Sequence, residues 1–228
     1  MNTIIINEKE IELPNSWFDV SFNDFLAFTK LVNSQKTEEE LNDIYKDETE
    51  EVRALQISLE NINFNTRVAC FWTGLSEEEI SLCSLDEVEQ VMKEMHFLNE
   101  QYHPISLDKF TFKDVTYYLP KQYMEGENFG TYIEAEQVEI NNKKIEEGNL
   151  EILPKQMAIL CKEEGEKPGL VDDDAVAKKE ALFREVDMAT VWDVAFFLFK
   201  HESTLMTVFL TSLQKEGTLK QDLQLKEQ

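Results

Sequence analysis

The sequence predicts an α+β chain, predominantly helical, built from two similar modules, each a β-hairpin followed by a helical bundle, plus a C-terminal helix. Three observations predict it. An apolar run, a charged break, a second apolar run closed by Leu-Pro and an amphipathic stretch occur twice, from Ile4 to Leu31 and from Phe110 to Val138. Leu13-Pro14 aligns with Leu119-Pro120 at an offset of 106, and Phe22, Phe25 and Leu31 align with Phe129, Tyr132 and Val138 at 107. A length of 228 residues also suits two modules of about 100 residues each. The expected boundaries are 1–104, 105–203 and a C-terminal extension over 204–228.

In the first module, Ile4–Ile6 and Ile11–Leu13 flank the polar break Asn7-Glu8-Lys9-Glu10, which predicts a hairpin with a four-residue turn. Ser21 then caps a helix with Asp24 in its first turn and Phe22, Phe25, Leu26, Phe28 and Leu31 as a core stripe. Ser34 to Glu51 reads as a loop or a short exposed helix, and Val52–Leu59 and Thr66–Trp72 as two helices, the second stopped by Gly74. Ser76 and Glu79 form a capping box, with Leu75 and Ile80 as its hydrophobic staple. Leu85, Val88, Val91, Met92, Met95 and Leu98 mark a further helix that ends by His103-Pro104.

The second module repeats the hairpin around Lys113-Asp114 and continues with a helix over 128–138, then an apolar helix from Ile152 to Cys161. Lys162 to Asp174 reads as a loop, and Ala175 to Val186 as a helix. Met188 to Phe199 aligns with the helix starting at Leu85 at an offset of 103 and is apolar on every face, which predicts burial all round. Leu205, Val208, Phe209 and Leu213 form a stripe on a last helix that has no counterpart in the first module, and are expected to face a partner.

Charge is the strongest global feature: 22 Lys and Arg stand against 46 Asp and Glu, a formal net charge of −24. Such a chain repels phosphate backbones, and no basic patch overrides that field. Cys70, Cys83 and Cys161 are widely spaced and form no C-x-x-C pair, so neither a disulfide framework nor a zinc site is expected. The run Ile4–Ile6 is too short for a signal peptide and is broken at once by Asn7–Glu10. The longest apolar stretch, Val194–Phe199, is far below the roughly 20 residues a membrane span needs.

No catalytic or cofactor chemistry is expected. Asp172-Asp173-Asp174 lacks the alternation and glycine of a calcium loop, and reads as helix-initiating or solvated acids. His96 and His103 straddle a helix end, and Cys70 and Cys161 sit among apolar residues as small hydrophobes. Phosphate-cradling and nucleophile-elbow motifs do not occur, and seven glycines leave little material for them. The chain is therefore expected to be no enzyme and to hold no metal.

Leu13-Pro14-Asn15-Ser16-Trp17, Val20-Ser21, Phe25-Leu26 and Thr73-Gly74-Leu75-Ser76-Glu77-Glu78-Glu79-Ile80 resemble a family of small acidic proteins. These are encoded among the virion structural genes of crAss-like and related tailed phages of gut Bacteroidetes. The resemblance spans the first module and, loosely, the second hairpin; beyond Ser203 the chain departs from the pattern. It implies a homo-oligomeric ring in the head-to-tail connector or tail barrel, localised in the virion after synthesis in the host cytoplasm. Its partners would be the portal or other tail ring proteins, with DNA passing nearby unbound and no membrane involved. Some members are labelled tail assembly chaperones, so a chaperone absent from the mature particle is the alternative. An acidic decoy for a host nucleic-acid-binding protein is a third.

Overall fold

A computed structural model describes residues 1–120, 129–143, 150–166 and 172–196. The chain is α+β and predominantly helical, and it divides into two compact units, Met1–Tyr102 and His103–Gln228.

The first unit opens with an antiparallel hairpin of β1 (Asn2–Ile6) and β2 (Lys9–Leu13). Ile6 pairs with Lys9, so the turn is the two residues Asn7-Glu8 and not the four expected; Lys9 and Glu10 are already strand. Both turn residues have positive φ, 48° and 65°, which gives a primed turn whose twist matches the strands. The alternation places Ile4, Ile6, Ile11 and Leu13 on the buried face. Fully burying each such side chain contributes about 1.5–3 kcal/mol, so this face holds the hairpin down.

Five helices follow: α1 (Phe22–Asn33), α2 (Glu38–Ile44), α3 (Glu50–Thr73), α4 (Glu77–Ser81) and α5 (Leu85–Glu94), with a 3-10 turn at Met95–Asn99. Ser21 accepts a hydrogen bond from the Asp24 amide at 3.1 Å, as expected of the first cap. The region expected to hold two helices is a single one, α3, stopped by Gly74 at φ 69°. The Ser76–Glu79 capping box forms, and its staple residues Leu75 and Ile80 join the hairpin face, Ala69, Val91 and Met95 in one core. Aromatic edges extend that core, with Trp17 5.2 Å from Phe97 and Phe28 5.1 Å from Trp72. Of the α1 stripe, Phe22 is fully buried while Phe25, Leu26, Phe28 and Leu31 are half-buried.

The second unit repeats the hairpin with β3 (Lys109–Phe112) and β4 (Val115–Tyr118). Its turn, Lys113-Asp114, again has two positive φ angles, 47° and 62°. Phe110, Tyr117 and Leu119 are buried where Ile4, Ile11 and Leu13 are buried in the first hairpin, each 106 positions on. Unlike β1–β2, this hairpin gains a third strand, β5 (Lys162–Glu163), paired antiparallel to β4. That segment was expected to be loop.

Helices α6 (Phe129–Lys143), α7 (Leu153–Leu160) and α8 (Asp173–Phe183) follow, and a further helix is described over 188–196. α7 packs on both α6 and α8 and buries six residues, among them Leu153, Met157 and Leu160. Phe110, Tyr117 and Phe183 form an aromatic cluster with centroids 4.8–5.6 Å apart. The 188–196 helix is capped by Asp187, which accepts from the Thr190 amide at 2.8 Å. Met188, Ala189, Val191, Asp193, Val194 and Ala195 are buried, but Thr190 and Trp192 are half-buried and Phe196 is 41% exposed, so the expected burial all round does not hold over the described part of this helix. Asp193 accepts a hydrogen bond from the Ile105 amide at 2.8 Å, which ties the start of the unit to this helix.

The two aligned helices share their cap register, Ser84 in one and Asp187 in the other, and bury Val91 and Val194 alike, but Leu85 is 87% exposed where Met188 is fully buried. In the first unit it is Val91 and Met95 of this segment that face the core.

Candidate interaction surface

Leu205, Val208, Phe209 and Leu213, the residues expected to face a partner, lie outside the described residues. The described residues hold a different surface, built on α3. Thr49 caps this helix by accepting from the Val52 amide, and Glu50 and Glu51 place negative charge at its positive end. Only Val68 and Ala69, near its C-terminus, are fully buried.

Over the preceding four turns the polarity of α3 is reversed relative to an ordinary surface helix. Arg53 and Glu60 turn toward the rest of the unit. The Arg53 guanidinium donates to the carbonyls of Tyr45 and Lys46, each at 3.2 Å, and of Glu48 at 3.3 Å, satisfying groups at and beyond the C-terminus of α2. Glu60 accepts from the Tyr45 hydroxyl at 3.2 Å and pairs with Lys36 at 3.8 Å. Arg67 lies over the Phe64 ring, 5.6 Å from its centroid.

The apolar residues turn outward. Val52, Leu55, Leu59 and Ile62 are 38%, 70%, 52% and 57% exposed, at the 3-4-3 spacing of a narrow seam. The exposed positions between and beside them are Ala54, Ser58, Asn61, Asn63 and Asn65, with the exposed acid Glu51 at the N-terminal edge, one residue before Val52 and one turn before Leu55. From Val52 to Asn65 the exposed face carries no charge, in a chain of net charge −24.

A second apolar feature lies at the connection between α4 and α5, bordered by the exposed acids Glu78 and Asp86. Ser81, Leu82, Cys83, Ser84 and Leu85 are uncharged, and Leu82 and Leu85 are 78% and 87% exposed. The hairpin lies behind this connection. The Asn7 amide N–H donates to Glu87 at 2.9 Å, the Asn7 side chain donates to the Glu79 carbonyl at 3.0 Å, and Lys9 pairs with the Glu79 carboxylate. Hydrogen bonds from Lys9 and from Ser76 hold the Glu79 carboxyl down to about 2, and those from Asn7 and Ser84 lower that of Glu87.

Reactive chemistry finds no comparable assembly. Asp172 is the N-cap of α8 and accepts from the Asp174 amide at 3.1 Å. Among the described residues no three His, Cys, Asp or Glu side chains are grouped to hold a metal. Cys161 is fully buried, and burial pushes its thiol up to about 12. A cleft of about 720 Å³ between β5 and α8 is lined by Lys162, Lys178 and Lys179 together with Glu163, Glu166 and Asp172. Lys179 is bound there to Glu166 at 3.0 Å and to the Cys161 carbonyl at 3.3 Å, so the cleft pairs charge internally. No helix among the described residues is long and apolar enough to cross a membrane. No family model, curated protein or solved structure matches this chain.

Proposed function

We propose that this chain is a structural virion protein that forms an oligomeric ring in the head-to-tail connector or tail barrel of a short-tailed phage. The observation that supports this most is the outward face of α3, where four apolar residues stand exposed and no exposed charge occurs from Val52 to Asn65. Isolated exposed leucines are ordinary on a monomer, but an uncharged apolar row on an acidic chain suits a surface that is covered on assembly. The acidity fits the other half of the reading. A ring wall of strong negative potential lets DNA pass without condensing onto it. The partners on this reading are further copies of the chain, and the portal or another tail ring protein.

Mass spectrometry of purified virions tests the proposal. Stoichiometric recovery of the chain from particles, in many copies, is the expected result. Absence from particles, with copurification of a capsid or tail protein from infected lysate, would replace the ring reading with an assembly chaperone.

A further inference from the structure

One arginine of this acidic chain has no acid. Asp and Glu outnumber Lys and Arg 46 to 22, which leaves no shortage of partners for a base. Arg53 holds three carbonyls, and Arg184 holds Glu180 at 3.1 Å. Arg67 makes neither a hydrogen bond nor an ion pair with any described residue; its guanidinium lies over the Phe64 ring, 5.6 Å from the centroid. That contact engages a face of the group and leaves its N–H donors without an acceptor among the described residues.

Arg67 lines a cavity of about 290 Å³ in the first unit, where the end of α1 leads into α2 beside α3. The wall carries two cations, Lys36 and Arg67, against one acid, Glu60. Glu60 is already engaged, by the Tyr45 hydroxyl at 3.2 Å and loosely by Lys36 at 3.8 Å. Gln35, Asn61 and Asn63 add side-chain amides that make no hydrogen bond among the described residues. The result is a hollow of net positive charge, rich in free donors, on a chain of net charge −24. Its chemistry selects among anions. A planar carboxylate takes two parallel bonds from a guanidinium fork and brings a single charge. A phosphate dianion would bring twice the charge into a negative field with Glu60 on the wall. The volume lies at the small end of ligand pockets and suits a short acid or one side chain.

We propose that this cavity is a carboxylate-binding site, in which the Arg67 guanidinium grips both ligand oxygens, Lys36 adds charge and the three amides supply further donors. The inference stands apart from the assembly reading above. The carboxylate has two sources, a free short-chain organic acid or an acidic side chain of another copy, and the test separates them.

Phenylglyoxal, which modifies free guanidinium groups, reads the site in the full chain, with mass spectrometry of the digested peptides. Propionate, the free counterpart of a glutamate side chain, is the probe at constant ionic strength. At low protein concentration Arg67 is expected to react faster than Arg53 and Arg184, and propionate to slow it saturably. Arg67→Lys should weaken propionate binding about tenfold or more in a calorimetric titration, because an ammonium lacks the fork. Glu60→Gln removes the acid and releases Lys36, and should lower the propionate concentration for half protection about fivefold. Protection that also rises with protein concentration alone assigns the carboxylate to a neighbouring copy; protection by propionate at every protein concentration, and none without it, assigns it to a free acid. Arg67 reacting no faster than Arg53, propionate protection that never saturates, or phosphate protecting at a lower concentration than propionate would overturn the site. Unchanged half protection in Glu60→Gln would overturn the seating of the ligand between Lys36 and Arg67.

Discussion

The first hairpin turn sets two neighbouring residues against each other, and substituting each by glycine should move stability in opposite directions. Glu8 is exposed and held at φ 65°. A left-handed conformation costs an L-residue about 1–2 kcal/mol, and glycine adopts it freely. Glycine returns roughly 0.5–1 kcal/mol of that through the greater entropy of its unfolded chain. Glu8→Gly should therefore stabilise the first unit by about 0.5–1 kcal/mol, or about 2–8 °C in its melting temperature for a domain of this size. Asn7, at φ 48°, is different: asparagine tolerates this region, and its side chain donates to the Glu79 carbonyl at 3.0 Å. Asn7→Gly gains little relief and loses a part-buried hydrogen bond, so it should destabilise by about 1–2 kcal/mol. Urea denaturation followed by circular dichroism and by tryptophan fluorescence measures both. Asp114→Gly, at φ 62° in the second hairpin, should share the sign of Glu8→Gly. A Glu8→Gly variant no more stable than wild type, or an Asn7→Gly variant as stable, would refute the account of the turn.

Two further outcomes are expected. Because the Glu79 carboxyl lies near 2 in the folded chain against an ordinary 4.5, its stabilising contribution is complete above pH 4.5 and is lost as pH falls through that window toward 2. Thermal melts in pH steps should show the first unit weakening over this range, and Glu79→Gln should show a flatter decline from a lower start; equal slopes would discount the Lys9 and Ser76 bonds. Arg53→Ala should remove three carbonyl partners beyond α2 at a cost of about 1–2 kcal/mol, read as faster amide exchange in Glu38–Ile44. Arg53→Lys should restore little, since an ammonium cannot span three carbonyls as the guanidinium fork does.

Local chemistry made much of the fold legible. Ser21, Gly74 and the Ser76–Glu79 box are determined within four residues of sequence, and each forms as its residue types require. The hairpins were legible too, through Leu-Pro and the apolar runs, but not their turn length. Asn-Glu and Lys-Asp lack the glycine that announces a two-residue primed turn, so positive φ at Glu8 and Lys113 is imposed by strand pairing. β5 escaped notice because Lys162-Glu163 has no apolar pattern; backbone pairing to β4 alone makes it a strand.

The outward face of α3 was not legible in the sequence for a related reason. The 3-4-3 spacing of Val52, Leu55, Leu59 and Ile62 is visible in the sequence, but periodicity tells which residues share a face and not whether that face looks inward. The deciding information is where Arg53, Glu60 and Arg67 find partners, and those partners are Tyr45, Lys36 and a ring of the same helix. Leu85 stands under the same limit, apolar at helical spacing yet exposed.

The uneven seating of α3 has a consequence for how a subunit would behave before its neighbours arrive. Its last turns are locked by Val68 and Ala69 into the main core, whereas its first turns are held chiefly by α2 and the Arg53 and Glu60 bonds. Opening free energy along one continuous helix should therefore fall steadily from the Gly74 end toward Thr49. A neighbour that settles on Leu55 and Leu59 stiffens the looser end, and part of the gain from contact is spent on ordering that end. The free subunit would keep its assembly surface on the most yielding part of its longest helix, firm only once it is occupied.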